Sequence, residues 1–284
     1  MIEPDLQAII DQVPAWKGAH EIHAERQPGG LTNANYLLTV DGRRYVLRIG
    51  GANTTQLGID RRTEREAVLA VSAAGIAPEV VFFSLPEGHM ITRFVEGHEW
   101  TVEEFKVPAV IRRVAETMKQ VHALPPISGT FSPYRDIEQR LQVARERGTP
   151  LPNHLDRCLD RMVEIERLRA GAPLVFCHND PFPNNFLDAG RVLLLDWEFA
   201  GMGDRFYDLA SVCHFFAPEQ KALLLEAYFG EVTDETMAVL EMMWFIVAFW
   251  NGAWALLQIG NPNADFHYRQ MVQNVFGRLA QRLA

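Results

Sequence analysis

The first third of the chain carries short runs of alternating apolar and polar residues, a pattern typical of β-strands. The segments HEIHAERQ, ANYLLTV and RRYVLRI are rich in β-branched and aromatic residues, and Asp41-Gly42 separates the last two as a hairpin turn. Two more strands are predicted near residues 79–83 and 89–94. This part of the chain is therefore expected to form a small β-sheet.

Helical periodicity appears once within this region and dominates after residue 101. Ala67, Val68 and Val71 predict a helix over residues 60–74. Thr101 and Glu104 have the spacing of a capping box that opens a helix. Further helices are expected near residues 136–146, 153–169, 218–228, 234–259 and 264–283. Residues 1–95 are thus predicted to form a strand-rich lobe and residues 96–284 a helical lobe.

One strand-like insert, LVFCHNDPFPNNFLDAGRVLLLDWEF, interrupts the helical region. Its apolar runs at residues 174–177 and 192–195 predict a hydrophobic hairpin framed by polar loops. Loops held on a rigid scaffold are the usual position of catalytic residues, so this insert is where we expect the chemistry.

Composition narrows the class of protein. The chain has 284 residues, of which 48% are hydrophobic and 22% charged, which is an ordinary globular composition. Its net charge of -9 argues against binding to nucleic acid or an anionic membrane. The three scattered cysteines and the acidic, proline-interrupted N-terminus suggest a cytoplasmic protein without a signal peptide.

Asp180, Asn185 and Asp196 are the candidate catalytic group, because they place two carboxylates and an amide on adjacent loops. Carboxylate and amide oxygens suit a hard divalent cation such as Mg²⁺, and a second carboxylate can take the proton of an attacking hydroxyl. Taken alone, the segment HNDPFPNN is also compatible with a polar turn capped by Asp and Asn.

The strand-rich region offers complementary groups for phosphate. Gly29 and Gly30 lie in a loop between strands, where bare backbone N–H groups can approach phosphate oxygens. Arg48 lies in an otherwise apolar strand and needs a phosphate or a carboxylate as partner. Glu66 on the following helix is favoured over Glu64 as that partner.

Together these segments resemble the choline/ethanolamine kinase branch of the aminoglycoside-phosphotransferase-like kinases. The resemblance covers nearly the whole chain and rests on GGLTNANY, YVLRI, TEREAVL, FCHNDPFPNNFL, LLLDWEFAGMGDRFYDLA and FWNGAWALLQ followed by DFHY. It implies an α+β, two-lobed protein-kinase-like fold, with a small antiparallel sheet and one helix in the first lobe. It also implies ATP and Mg²⁺ as cofactors. Pro181 stands where this family usually has Leu, which leaves the ligands unaffected.

By this resemblance, Asp180 is the base or orienting carboxylate and His178 braces its loop. Asn185 and Asp196 hold magnesium, whereas Asp208 supports the catalytic loop. The implied nucleotide site comprises Gly29, Gly30, Thr32, Asn33, Arg48, Glu66 and the connector Arg93, Phe94 and Val95.

The acceptor is expected to be choline or ethanolamine. Trp250 and Trp254 are four residues apart and share a helix face, and Phe199 and Tyr268 could complete an aromatic cage for a quaternary ammonium. Glu198 and Asp204 are the candidate source of its negative field. The spacing of the two tryptophans differs slightly from that of choline kinases, so they could instead be core residues.

Several alternatives stay open on the sequence alone. Thiamine, an aminoglycoside or homoserine could be the acceptor, or the chain could be an inactive nucleotide-binding module. Residues 242–259 are apolar but include Asn251 and Gln258, which favours a buried helix over membrane insertion. A homodimer is possible on this sequence, which does not decide it.

Overall fold

The computed structural model describes residues 4–27, 33–51, 58–260 and 265–283. It has an α+β fold in which an antiparallel sheet precedes a larger helical region, as the resemblance implies. The five-stranded sheet has the order β1-β2-β3-β5-β4. Its elements are α1 (Pro4–Ile10), β1 (Ile22–Arg26), β2 (Ala34–Val40), β3 (Arg43–Ile49), α2 (Arg61–Ala73), β4 (Val80–Phe83) and β5 (Met90–Arg93).

The central hairpin of this sheet forms as the sequence predicts. β2 and β3 pair antiparallel with Leu38 opposite Tyr45. Asp41 and Gly42 both have positive φ, at 46° and 77°, as a two-residue hairpin turn requires. The Asp41 carboxylate also accepts hydrogen bonds from the backbone N–H groups of His20 and Glu21, which fixes the entry into β1.

The sheet has its own apolar core. Leu38, Leu47 and Ile91 are fully buried on the face that packs against the N-terminal segment, where Leu6 and Trp16 contribute. Buried and half-buried positions alternate along β2, because successive strand residues point to opposite faces of the sheet.

α2 follows β3 and precedes β4 along the chain, but it packs in a different apolar core. Its buried residues Ala67, Val68 and Val71 are part of the large apolar cluster of the helical region. Just after the helix, the carbonyl of Ile76 accepts a hydrogen bond from the N–H of Leu194 at 2.8 Å. α2 therefore connects the sheet to the loops that carry the candidate catalytic residues.

The remainder of the chain is mainly helical. The capping box at Thr101 is present, but the helix that it opens is only one turn long, and a second helix begins at Pro108. The helices are α3 (Val102–Phe105), α4 (Pro108–His122), α5 (Pro133–Glu146), α6 (Leu155–Leu168), α7 (Arg205–Val212), α8 (Pro218–Phe229), α9 (Asp234–Gln258) and α10 (Asp265–Arg282).

The predicted hairpin of residues 174–177 and 192–195 is wrong in its pairing. The strands of this region are β6 (His98–Glu99), β7 (Leu174–Cys177), β8 (Phe186–Asp188), β9 (Val192–Leu194) and β10 (Gly201–Asp204). β7 pairs with β10, whereas β9 pairs with β8. Because β9 pairs with β8 rather than with β7, the two apolar runs belong to different sheets. The polar loops that follow β7 and β9 lie side by side.

α9 is long and apolar enough to cross a membrane by length and composition. However, 72% of its most apolar window is buried inside the protein. Its fully buried residues, among them Ile246 and Phe249, pack in the large core with α5, α7 and α10. A helix that is apolar on all sides is what the centre of a core requires.

We predict that Ile91→Ala lowers the free energy of unfolding by about 2–5 kcal/mol, because it opens a cavity in the centre of the sheet core. Leu69→Ala is the matched control, since 41% of Leu69 is exposed and surface truncations usually change stability by less than about 0.5 kcal/mol. Urea denaturation measures both. Equal losses for the two variants would contradict this account of the core.

Candidate active site

The loop between β7 and β8 carries Asp180 and Asn185. Asn185 lies in a 3-10 turn, and its side-chain N–H group donates to the Asp180 backbone carbonyl at 2.8 Å and to the Asp180 carboxylate at 3.3 Å. Asn179, the residue before Asp180, has φ of 67°, a left-handed conformation that is uncommon outside glycine. The loop thus holds Asp180 and Asn185 within direct contact of each other.

His178 and Asp208 hold this loop in place. Asp208 on α7 is fully buried and accepts hydrogen bonds from the backbone N–H groups of His178 and Asn179, at 2.9 Å and 2.7 Å. His122 contacts the same carboxylate at 3.1 Å. The support role predicted for Asp208 agrees with these contacts.

Both ring nitrogens of His178 are used within the protein. Nδ1 lies 3.1 Å from the backbone N–H of Asp180, which donates to it, and Nε2 lies 2.8 Å from the carbonyl of Leu195. Only a neutral imidazole with its proton on Nε2 satisfies both contacts. Burial lowers the pKa of His178 to about 4, which keeps the ring neutral. His178 is therefore a positioning residue that joins the two polar loops.

Asp196 lies on the second loop, two residues after the end of β9, with φ of 60°. Enclosure by the protein, and secondarily the neighbouring Glu198, raises the pKa of Asp196 to about 7, although 46% of its side chain still contacts solvent. Burial also raises the pKa of Asp180, with Asp196 as the next cause. Two neighbouring carboxylates with raised pKa values ionise more readily when a cation lies between them. The pair therefore favours the binding of a cation.

The donor set suits a divalent metal ion. Asn185 and Asp196 would offer one amide oxygen and one carboxylate, both hard oxygen ligands of the kind that Mg²⁺ binds. The Asn185 Nδ2 group is bound to Asp180, which turns its oxygen away from that contact. Such an ion would stabilise the ionised form of Asp180 and Asp196, whose pKa values are raised by burial and, secondarily, by neighbouring carboxylates.

Arg48 pairs with Glu64, and the prediction that Glu66 is its partner is wrong. The guanidinium of Arg48 contacts the Glu64 carboxylate directly, and both side chains are buried. Glu66 instead accepts hydrogen bonds from the backbone and hydroxyl of Ser128. The two glutamates lie two positions apart on α2, so about 200° of rotation separates their directions and only one can face Arg48.

Arg61, which the sequence analysis missed, completes a buried ion cluster. It contacts Glu64 at 2.6 Å and Glu198 at 2.9 Å, and Arg48 approaches Glu198 at 3.4 Å. Two arginines and two glutamates therefore form a closed ring, with Asp196 at 3.5 Å from Arg48. The (i, i+3) spacing of Arg61 and Glu64 was the available sequence signal.

Glu198 is consequently not a free source of negative field for a cationic acceptor. Besides the two arginines, it accepts a hydrogen bond from the side chain of Asn33 at 2.7 Å. Asp204 is also committed elsewhere: it caps α7 at the N–H of Phe206 and pairs with Arg169 at 2.8 Å. Both acidic residues assigned to the acceptor thus have structural partners.

The predicted nucleotide loop is described only in part. Asn33 is described, and it also accepts from the N–H of Gly51 at 3.1 Å. Gly29, Gly30 and Thr32 lie outside the described residues.

The connector after β5 is described throughout. The backbone N–H groups of Arg93 and Phe94 donate to the carbonyls of Glu79 and Arg44, at 2.8 Å and 3.2 Å. These two donors are therefore used inside the sheet. Binding of the nucleotide base by Arg93, Phe94 and Val95 stays a prediction.

The aromatic residues assigned to a cage fall into two pairs. Phe199 and Trp250 meet edge to face at 5.3 Å, and Trp254 and Tyr268 do so at 5.5 Å. The ring face of Trp250 is covered by the guanidinium of Arg140 at 4.2 Å, and its indole N–H donates to Asp136. Trp250 therefore has structural partners on its face and its edge.

This fold and site define a kinase-like phosphotransferase, with paired carboxylates and an amide facing a buried arginine. The comparison with family models agrees: residues 23–241 match the phosphotransferase enzyme family, and the chain belongs to that family.

Named relatives specify the branch. The chain is 25% identical over 221 residues to Protein LicA of Haemophilus influenzae, covering 74% of this chain and 65% of the relative. It is 24% identical over 226 residues to ethanolamine kinase 2 of Mus musculus, covering 75% of this chain and 58% of the relative. Thus the chain spans about three fifths of the length of these two proteins.

A solved structure gives the same grouping. A choline/ethanolamine kinase family protein from Mesorhizobium loti superposes with a TM-score of 0.79 at 28% identity, covering 98% of this chain and 93% of that one. The family expected from the sequence motifs and the two-lobed protein-kinase-like fold are confirmed.

We predict that Glu64→Gln weakens the binding of Mg-ATP at least tenfold, because the neutral amide no longer fixes Arg48 toward the phosphates. Glu66→Gln should change binding less than twofold, since Glu66 contacts Ser128. Isothermal titration calorimetry on both variants, with circular dichroism to verify folding, makes the comparison. A larger effect of Glu66→Gln would restore the pairing predicted from the sequence.

We also predict that Mg²⁺ binds more weakly as the pH falls below about 7. The ion would bind the ionised form of Asp196, whose pKa is raised to about 7, so binding would release a proton in acid solution. The apparent affinity should fall by up to tenfold per pH unit between pH 7 and 6, and level off above pH 8. Calorimetry in buffers of different ionisation enthalpy measures the released proton, and a pH-independent affinity would contradict the assignment.

Proposed function

We propose that this protein is an ATP-dependent kinase that transfers the γ-phosphoryl group to the hydroxyl of a small alcohol. The observation that carries the proposal is the convergence of Asp180, Asn185 and Asp196 opposite the buried Arg48–Glu64 pair. Phosphoryl transfer depends mainly on positioning and charge neutralisation, and this group offers both.

Arg48 is the cation that would meet the nucleotide phosphates. Its Nε and Nη1 atoms are buried without hydrogen-bond partners among the described residues, although Nη1 lies 3.4 Å from Glu198 and 3.5 Å from Asp196. Nε is therefore the donor that remains for a phosphate oxygen. Arginine keeps its charge at any working pH and offers a planar fork of donors. Glu64 holds this fork on one side, which limits the directions in which it can bind.

Asn185 and Asp196 would hold Mg²⁺. When bound, the ion supplies positive charge to the phosphates and to the bond that breaks. The two side chains are held near each other, because Asn185 is bound to Asp180 and the N–H of Leu195, the residue before Asp196, donates to the Asn185 carbonyl at 2.8 Å.

Asp180 would orient the acceptor hydroxyl and take its proton. Its carboxylate is half-buried, and among the described residues its side-chain hydrogen-bond donor is the Asn185 amide, at 3.3 Å. Burial raises the pKa of Asp180, which makes it a better proton acceptor once ionised. A positioned general base contributes roughly 10²–10⁴-fold to a rate.

Relatives make an amino alcohol, choline or ethanolamine, the first acceptor to consider. A protein named ethanolamine kinase and a choline/ethanolamine kinase family protein are both similar to this chain. Trp254 and Tyr268 are the aromatic residues that could still contact such a cation, since their rings form a pair.

One observation favours a second class of acceptor. Arg140 places its own guanidinium over Trp250 at 4.2 Å and over Phe199 at 5.7 Å. A protein cation thus lies against the two aromatic rings that a quaternary ammonium would otherwise use. An alcohol without a positive charge is therefore the alternative acceptor.

We predict that Asp180→Asn reduces turnover by at least 10²-fold while Mg-ATP still binds, because only the proton acceptor is lost. Asp196→Asn should lose turnover together with Mg²⁺-dependent ATP binding. A coupled assay for ADP, run with choline, ethanolamine and other alcohols, reports turnover, and calorimetry reports binding. Wild-type protein that binds Mg-ATP but phosphorylates no alcohol would indicate the inactive binding module instead.

A further inference from the structure

A buried arginine lies against two of the aromatic rings that the sequence assigns to an acceptor cation. Arg140 is on α5, and its side chain is fully buried. Its guanidinium carbon lies 4.2 Å from the ring centre of Trp250 and 5.7 Å from that of Phe199. The two rings meet at 87°, so they form a corner around the guanidinium. Ring faces attract organic cations, and here the cation belongs to the chain itself.

A carboxylate completes this surrounding. Asp136 lies one helical turn before Arg140, and its side chain is 12% exposed. It accepts a hydrogen bond from Arg140 Nε at 2.8 Å and another from the indole N–H of Trp250. We call Asp136, Phe199 and Trp250 the Arg140 cage. It combines the groups that bind an organic cation, two ring faces and one negative charge.

The Arg140 cage adjoins the candidate catalytic loop. The backbone carbonyl of Phe199 accepts a hydrogen bond at 2.9 Å from the side chain of Asn179, the residue before Asp180. Burial raises the pKa of Asp180 and the Arg140 guanidinium acts in the opposite direction, so the two groups lie within electrostatic range of each other. An amino alcohol with its hydroxyl at Asp180 carries its amino group only two carbons away. The cage therefore borders the space that this amino group would occupy.

The pairing with Asp136 keeps Arg140 in the cage. Separating two buried partners leaves uncompensated buried charges, which is strongly unfavourable, so an acceptor does not push the arginine aside. The pair is also neutral as a whole. Arg140 therefore covers the ring faces without adding a net positive charge that would repel an ammonium group.

Covered ring faces affect different amines differently. A quaternary ammonium has no N–H group, and a protein recognises it mainly by ring faces around it. A primary ammonium has three N–H donors and binds carboxylate or carbonyl oxygens without any ring. Two of the four rings assigned from the sequence are covered, and Trp254 with Tyr268 is the remaining pair. The loss falls on the quaternary amine.

We propose that Arg140 is a specificity-determining residue, which fills the aromatic cage beside the catalytic loop and so makes ethanolamine the preferred acceptor over choline. This inference rests on the proposed kinase function and names the amino alcohol that the site accepts.

A series of acceptors that differ by single methyl groups tests the wild-type protein. Ethanolamine, N-methylethanolamine, N,N-dimethylethanolamine and choline are compared, together with 3,3-dimethylbutan-1-ol, which has the shape of choline without its charge. Turnover is measured as ADP in a coupled assay, and the product by phosphorus NMR. We expect kcat/KM to fall with each added methyl group and to be lower for choline than for ethanolamine by roughly tenfold or more. The uncharged alcohol should also be poorer than ethanolamine.

Two substitutions of Arg140 separate the filling of the cage from its charge. Arg140→Ala and Arg140→Met both lose the ion pair with Asp136, so they should lose similar stability, but only alanine empties the cage. Arg140→Ala should raise kcat/KM for choline by roughly tenfold or more and leave the KM for ATP within about twofold. Arg140→Met keeps the rings covered and should retain the preference for ethanolamine.

A binding measurement without turnover accompanies these assays. Tetramethylammonium should raise the melting temperature of Arg140→Ala and leave that of the wild type and of Arg140→Met unchanged. Circular dichroism verifies that both variants fold. If Arg140→Ala does not fold, the methyl series on the wild type decides by itself.

A wild-type preference for choline, or equal kcat/KM for choline and ethanolamine, would overturn the inference and leave the kinase function standing. A preference for 3,3-dimethylbutan-1-ol over both amines would do the same. Equal gains for choline in Arg140→Ala and Arg140→Met would also overturn it, because the filling of the cage would then not matter. If no alcohol is phosphorylated at all, the proposed function itself fails.

Discussion

The site depends on the burial of four charged side chains, Arg48, Arg61, Glu64 and Glu198. Breaking one member of such a cluster leaves an uncompensated buried charge, which typically costs about 3–5 kcal/mol. The cluster joins three elements: the sheet through Arg48, the helix α2 through Arg61 and Glu64, and the loop after β9 through Glu198. The same contacts that satisfy these charges therefore hold Arg48 opposite the loop that carries Asp196.

The two polar loops are strained, and the surrounding network keeps them so. Asn179 and Asp196 both have positive φ, a conformation that costs on the order of 1–3 kcal/mol for such residues. Asp208 binds the backbone of the first loop, and His178 joins it to the carbonyl of Leu195 before the second. Because α7 and the strand ends are rigid, these hydrogen bonds fix where Asp180 points before any substrate arrives.

The sequence predicted what depends on spacing within one segment and failed where pairing across segments decides. Asp180 and Asn185 are five residues apart on one turn, and Asp41-Gly42 specifies its own hairpin, so local chemistry was sufficient. Glu64 and Glu66 differ only in helix phase, which cannot be set until the start of α2 is known. The pairing of β7 with β10, and the position of Arg140 over Trp250, arise from tertiary contacts between segments that are distant along the chain.

Two separate apolar cores have a consequence for how the protein opens. The sheet packs with the N-terminal segment, whereas α2 packs with the helical region. Proteins open locally in cooperative units that follow such divisions. We therefore expect β1, β2 and β3, whose buried apolar residues belong to the smaller core, to exchange their amide hydrogens as a unit without exposing the larger core. The boundary between the units passes through the Arg48–Glu64 contact, so Arg48 belongs to one unit and the carboxylate that orients it belongs to the other.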